Sequence, residues 1–260
     1  MPLRRISALA AAALLALLAA GCDRAPAAPA AAESAAPREK LGLMTSLPLY
    51  WPLEAEVEDI AAGHVPLPWQ RAALEQAYVI KPLDSLAAIP GLTANAPATD
   101  PLAGLTRLAV IQPRGMSPAD NVALDNWVRA GGHLLLALDP ALTGEYNLAL
   151  GDPRRPADSA LIPPVVARWG LAVRFDETQD SKPVDASIGG KYLPLVLAGT
   201  VAVTDPSAAA CTVIAGGAAA RCSVGKGEVT LIADAALFEH RELAGEGEVH
   251  LRRLVAEVLG

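Results

Sequence analysis

Residues 107–140, RLAVIQPRGMSPADNVALDNWVRAGGHLLLALDP, carry strand, helix and strand signals at the spacing of a parallel crossover, and the rest of the chain takes its place around them. Leu108 to Ile111 and Leu134 to Leu138 are short unbroken apolar runs, as strands covered on both faces require. Between them Ser117 is placed to cap a helix, Pro118 sits where its missing N–H costs nothing, and Asp120 sets negative charge at the positive end of the dipole. Gly131 and Gly132 stop that helix, and Leu124, Trp127 and Val128 form its sheet-facing stripe. Open α/β sheets bind ligands beyond the carboxyl ends of their parallel strands. Gln112, Pro113 and Arg114 after the first strand and Asp139 after the second therefore occupy the address of a site.

Upstream, Leu41 to Leu47 reads as the first strand, leading into a stiff loop with Tyr50 and Trp51. An acidic stretch at 53–64 suits a short helix, Trp69 to Gln76 another, and Tyr78 to Pro82 a second strand. Downstream, the polar insertion after Asp139 carries Glu145, Tyr146, Asp152, Arg154 and Arg155, either as a functional loop or as a loop tied down by its own ion pairs. A helix through Arg168 and a strand from Leu171 to Phe175 follow. From Tyr192 the pattern turns to short strands, a small β-rich annex or sheet edge, in which Gly225-Lys226-Gly227 is a turn because the flanking residues of a phosphate loop are missing. A buried strand from Val229 to Ala233 ends at Asp234, and Val249 to Leu259 closes the domain as an amphipathic helix.

A chain of 260 residues, half of them apolar, can bury a full core. The net charge of −7, with both signs scattered singly, offers no basic stripe for phosphates and argues against a nucleic-acid partner. Residues 1–22 combine Arg4 and Arg5, an apolar run from Ala8 to Ala20 too short to span a bilayer, and small residues before Cys22, the pattern of an export signal. Leu18-Ala19-Ala20-Gly21-Cys22 resembles the lipobox of bacterial lipoproteins, which implies cleavage before Cys22 and acylation of its thiol. Asp23 resembles an inner-membrane retention signal, with the outer membrane as the alternative address. Residues 23–40 are Ala/Pro-rich and read as a semi-extended tether, leaving 41–260 as the folded domain.

With Cys22 assigned to lipid, Cys211 and Cys222 remain as a pair in an oxidising compartment. A two-residue hairpin turn at Gly216-Gly217 sets them opposite each other, at a hydrogen-bonded pair with Cα atoms about 5.5 Å apart, so a disulfide is expected. No His or acidic partner stands near them at metal-ligand spacing, and neither a metal nor a cofactor is implied.

The run from Pro113 through Ser117, Leu124, Trp127-Val128, Gly131-Gly132 and LLLALDP, with the later GKGEVTLIADAALF, resembles the auxiliary domain of certain ABC transport systems, related to gliding-motility and DUF4350-type proteins. Their fold is similar to the class I glutamine amidotransferases: a flavodoxin-like, mostly parallel sheet with helices on both faces, generally without catalysis. In a working amidotransferase the strand at Leu134–Leu138 would lead into a nucleophilic cysteine. Here Asp139-Pro140-Ala141 follows, and no Gly-x-Ser-x-Gly elbow occurs in the chain. The resemblance thus implies a non-catalytic, lipid-anchored periplasmic accessory to a permease and ATPase complex, with Ser46, Arg114, Asp139, Arg154 and Asp234 as candidate ligand-binding residues and the small-molecule ligand unspecified. Two other readings stay open: an envelope hydrolase with Asp139 and Asp234 as paired carboxylates assisted by His240, and a purely structural lipoprotein. Either aspartate could instead cap the turn that follows it.

Overall fold

The computed structural model describes residues 38–93 and 95–260; the export signal, Cys22 and most of the tether lie outside the described residues. Strands β1 (Glu39–Thr45), β2 (Tyr78–Pro82), β3 (Arg107–Ile111), β4 (His133–Ala137), β9 (Ala210–Ile214), β10 (Ala219–Val224) and β11 (Gly227–Ile232) form a seven-stranded sheet in the order β2-β1-β3-β4-β11-β10-β9. Its first five strands run parallel, and β10 and then β9 are added through antiparallel pairings. The fold is mixed α/β with a mostly parallel central sheet. Two small antiparallel ladders stand apart from it, β5 (Leu171–Arg174) with β8 (Thr200–Val203) and β6 (Val184–Ile188) with β7 (Lys191–Leu195).

Helices α1 (Val57–Ala62), α2 (Trp69–Leu74), α3 (Pro118–Arg129), α4 (Pro164–Arg168), α5 (Ala236–Glu239) and α6 (Val249–Leu259) connect or close these strands. The period of two in β4 decides what each face meets. Leu134 and Leu136 pack with Leu124 and Val128 of α3 and Val165 and Val166 of α4, whereas Leu135 and Ala137 pack with Leu251 and Leu254 of α6 and Leu74 of α2. Each fully buried leucine contributes roughly 1.5–3 kcal/mol, so both faces of the strand are held by the hydrophobic effect.

The crossover helix begins as expected. Ser117 Oγ accepts the Asp120 N–H at 3.1 Å while Asp120 Oδ2 accepts the Ser117 N–H at 3.0 Å, a reciprocal capping box, with Pro118 in the first turn. Asp120 Oδ1 also accepts the N–H groups of Leu86 and Ala87, tying the preceding loop to the helix. Burial opposes ionisation of Asp120, yet these hydrogen bonds hold its carboxyl well below the usual carboxylate range.

The structure corrects three expectations and adds one strand. The first strand starts at Glu39, two residues into the expected tether, because Glu39 sits beside Tyr78 in the ladder and pairs with Arg107 at 2.6 Å. The residues after Tyr192 do not all form an annex: β11 inserts beside β4 as the fifth parallel strand, with β10 and β9 extending the same sheet. Strand β6, which lacks a long apolar run, goes unread in the sequence. The cysteine hairpin has the expected register, Cys222 opposite Cys211, and the disulfide is present, but the turn spans Ala215 to Ala218. That four-residue turn, with Ala215 and Gly216 both at positive φ, places the pair at a Cα separation of 4.0 Å, the close spacing of a non-hydrogen-bonded pair.

Candidate functional site at the carboxyl ends of the strands

Asp139 and Asp234 each lie two residues beyond the last paired residues of β4 and β11, Ala137 and Ile232, so the parallel register brings them side by side. Both are buried, at 0% and 2% exposure. Asp139 Oδ1 accepts the Ala141 N–H and Oδ2 the Ala235 N–H, each at 2.8 Å. Asp234 Oδ1 accepts the Ala236 N–H at 2.6 Å and Oδ2 the Val196 N–H at 2.7 Å. The four oxygens thus cap the turns leaving β4 and β11 and hold the segment that leaves β7. Burial pushes Asp139 up to about 6 against those N–H donors, and burial together with the neighbouring Asp139 charge pushes Asp234 up to about 8.

Gln112 completes the floor. It holds φ 42°, a left-handed conformation uncommon outside glycine, and its buried side chain clips the main chain of Asp139. Its Oε1 accepts the Asp139 N–H at 2.8 Å, and its Nε2 donates to the Asp139 carbonyl at 3.0 Å and the Ala157 carbonyl at 2.8 Å. Ser46 in turn donates its N–H and its hydroxyl to the Gln112 carbonyl, at 3.1 and 2.5 Å, and its Oγ accepts the Ala157 N–H at 3.2 Å. Ser46, Gln112, Asp139 and Asp234 therefore form one buried polar layer across the strand ends.

The other expected residues stand elsewhere. Arg114 is exposed beyond β3. Arg154 is exposed and closes a short loop on Asp152 at 3.0 Å, and Arg155 binds Asp158 and the carbonyls of Tyr146 and Leu148. The insertion after β4 is tied down by these pairs, and its arginines do not join the aspartates.

Above the buried layer lies a cleft of about 500 Å³ walled by Leu142, Val196, Leu197 and Leu243, with Thr143 and His240 among its polar groups. Thr143 Oγ1 lies 2.8 Å from His240 Nε2. Glu239 supports them from one side: its carboxylate accepts the N–H groups of Thr143 and Gly144, both at 3.1 Å, and the Tyr146 hydroxyl at 2.6 Å. Burial, reinforced by the Glu239 charge, pushes the Tyr146 hydroxyl well above its ordinary range. A hydroxyl hydrogen-bonded to an imidazole has the geometry of a nucleophile and its base. Here the N–H groups of Thr143 and Gly144, the main-chain donors beside that hydroxyl, are spent on Glu239. What the cleft offers is a hydroxyl and an imidazole edge within apolar walls, suited to hydrogen-bonded binding.

Thr143 and Glu239 went unread in the sequence because neither belongs to a spaced motif; they meet only because β4 and β11, remote in sequence, are neighbours in the sheet. His240 is legible as the one histidine near a strand carboxyl end. Among the described residues, no three His, Cys, Asp or Glu side chains group as ligands for a metal.

A family model described as "Domain of unknown function (DUF4350)" matches residues 69–250. A comparison with curated proteins finds no match. Among solved structures, an exo-beta-1,4-mannosidase from Opitutaceae bacterium strain TAV5 aligns with 86% of this chain and 36% of its own at 12% identity and a TM-score of 0.50. A beta-galactosidase from Rahnella sp. R3 aligns with 85% of this chain and 31% of its own at 11% identity and a TM-score of 0.46. A cytoplasmic protein from Salmonella typhimurium LT2 aligns over 100% of its own chain and 85% of this one at 13% identity and a TM-score of 0.47. The chain thus spans about a third of the length of the two glycosidases, and at 12% identity the likeness to the mannosidase concerns fold alone.

Proposed function

The chain belongs to the DUF4350 family, and from that premise we propose that it is a non-catalytic, lipid-anchored binding domain on the periplasmic side of a bacterial membrane, an accessory to an ABC transport system. The observation that carries the non-catalytic part is the occupation of the strand-end carboxylates. Asp139 and Asp234 are adjacent, as a hydrolase would need, but both are buried and all four oxygens already accept main-chain N–H groups. A carboxyl engaged in this way holds turns together, and at 0% and 2% exposure neither one has a surface at which a substrate could meet it.

Supporting the location are the lipobox ending at Cys22 and the Cys211–Cys222 disulfide, which suits an oxidising compartment. Asp23 favours the inner membrane. We also read the sheet as flavodoxin-like: counted along the chain, its five parallel strands lie in the order 2-1-3-4-5, the doubly wound arrangement that amidotransferase-type domains share. In that reading Asp139 stands just beyond the strand that would lead to the amidotransferase nucleophile.

The test is made in the native host. The wild-type protein should incorporate labelled palmitate, and Cys22→Ser should not, because a hydroxyl does not replace the thiol acceptor. Membrane purification of the acylated protein should bring down a permease and an ATPase subunit together. Label on Cys22→Ser sinks the anchor, and repeated purification without transporter subunits sinks the accessory role.

A further inference from the structure

We infer that the outer edge of β6 is a strand-addition site that takes an extended polypeptide segment bearing basic side chains. The argument starts from the turn that joins β6 to β7. Gly189 and Gly190 lie between the paired residues Ile188 and Lys191 and hold φ 55° and 74°, the two-residue, doubly positive-φ turn that closes a hairpin. Such a turn makes Ile188 and Lys191 a hydrogen-bonded pair, and in an antiparallel ladder these alternate with non-hydrogen-bonded pairs. Ala186 opposite Leu193 is then hydrogen-bonded, while Ser187 opposite Tyr192 and Asp185 opposite Pro194 are not. Pro194 agrees with this phase, since its missing N–H falls where the ladder needs none.

Asp185 and Ser187 consequently turn their N–H and C=O groups away from β7. β6 pairs with no other strand, and among the described residues neither main-chain group finds another partner. An edge of this kind is a template for another strand unless something covers it. Here two adjoining clefts lie along it, of about 600 and 420 Å³, both lined by Ser187. The larger is faced by 197–200 and by Ala215, Gly216 and Ala218 of the β9–β10 turn, and the smaller by Ala210, Thr212 and Ile214, which share one face of β9. The groove therefore runs the length of β6. It presents donors and acceptors at a two-residue repeat, which only an extended backbone matches.

Charge narrows the occupant. Asp180 is paired with Lys182 at 2.9 Å, but Asp185 has no cationic partner among the described residues, and Arg221, the one basic lining residue, is shared by two carboxylates, Glu228 at 3.2 Å and Glu257 at 3.5 Å, so the lining keeps a net negative charge. An incoming strand with lysine or arginine at alternate positions complements that lining. The inference deepens the binding half of the reading above by naming the partner's chemistry, and it does not depend on the lipid anchor.

The experiment uses the full chain and a synthetic capped peptide, Lys-Val-Lys-Val-Lys-Val-Lys, with a second peptide of the same sequence N-methylated at alternate residues. Amide resonances and hydrogen exchange are followed by NMR. The unmodified peptide should shift the Asp185 and Ser187 amides and slow their exchange by about tenfold or more, and the N-methylated peptide should do neither. Ser187→Pro, which removes one outward N–H and no ladder bond, should weaken binding about tenfold and leave thermal unfolding close to that of the parent. Equal protection by the N-methylated peptide, protection confined to other amides, or unchanged affinity in Ser187→Pro would overturn the proposal. Protection that grows with protein concentration in the absence of peptide would overturn it too, in favour of two β6 edges pairing with each other. None of these readings depends on palmitate labelling or transporter recovery, so the two proposals fail separately.

Discussion

The strand-end layer and the β6 edge dispose of main-chain polar groups in opposite ways. At the strand ends, the N–H groups of Ala141, Val196, Ala235 and Ala236 are met by the two buried carboxylates, and Gln112 takes both main-chain groups of Asp139. Along β6, those of Asp185 and Ser187 meet open groove. The carboxylates to which sheet topology points are closed off by structural hydrogen bonds beneath the Thr143–His240 cleft, and an open row of donors and acceptors lies on a small hairpin outside the main sheet. Topology gives an address for a site; the bonding state of the polar groups decides whether it is vacant.

The largest effect expected from breaking the closed side comes from removing its carboxylates. Asp139→Ala strands the Ala141 and Ala235 N–H groups, and Asp234→Ala those of Val196 and Ala236; each change should cost about 2–5 kcal/mol of unfolding free energy. Urea denaturation measures this. Midpoints close to the wild type would mean that water replaces the lost acceptors and that the layer is far more open than its burial implies. The same pair predicts a pH dependence of definite sign. Both folded-state pKa values are raised, to about 6 for Asp139 and about 8 for Asp234, against about 3.9 for an unfolded aspartate. Between those limits the folded state binds more protons than the unfolded chain. The contribution of these groups is therefore full below about pH 4 and is lost as pH rises through 6 and then 8. Resistance to urea should fall from pH 5 to pH 9, and Asp234→Asn should flatten the upper part of that decline.

A smaller effect comes from the disulfide. Cys211 and Cys222 close a short loop, with a sequence separation of 11, between strands already paired. Chain entropy for a loop of that length gives about 2–3 kcal/mol, lost on reduction or in the Cys211→Ala/Cys222→Ala double variant. Because β9 is the edge strand, amide exchange should quicken first in β9 and β10, with β3 and β4 unchanged. Uniform loosening of the whole sheet would show instead that the edge and the parallel centre unfold as one unit.

Local chemistry explains what was legible in advance. The crossover from Arg107 to Asp139, its Ser117 cap, the Val249–Leu259 helix and the cysteine register all follow from patterns contained within a few turns of chain. Asp234 could be read as the end of a buried strand, but not that this strand lies against β4, a pairing across nearly a hundred residues that no local period encodes. Thr143, Glu239 and His240 come together only through that pairing. The segment VDASI carries no strand signal of its own, because only Ile188 of its five residues is fully buried and its edge faces open groove. The property that made β6 hard to recognise is the one that leaves it free to bind.

The smallest predicted effect probes the turn on which the phase of that hairpin depends. Gly190 holds φ 74° with no heavy atom within 4 Å of where a Cβ would stand, so Gly190→Ala isolates the backbone cost of a left-handed conformation, about 1–2 kcal/mol. Gly190→Asn should recover part of it, because asparagine tolerates that region better than alanine. Gly189 differs: a Cβ there would overlap the Glu257 carboxylate, the end of a flexible side chain that can swing aside, so Gly189→Ala should cost only slightly more than Gly190→Ala at a similar φ of 55°. The order Gly189→Ala, then Gly190→Ala, then Gly190→Asn, from most to least destabilising by urea midpoint, is what a doubly left-handed turn beside α6 requires. If Gly190→Ala proves neutral while Gly190→Asn is costly, residue 190 does not hold a left-handed conformation. The ladder phase would then have to be redrawn, with the Asp185 and Ser187 amides facing β7 and their neighbours facing the groove.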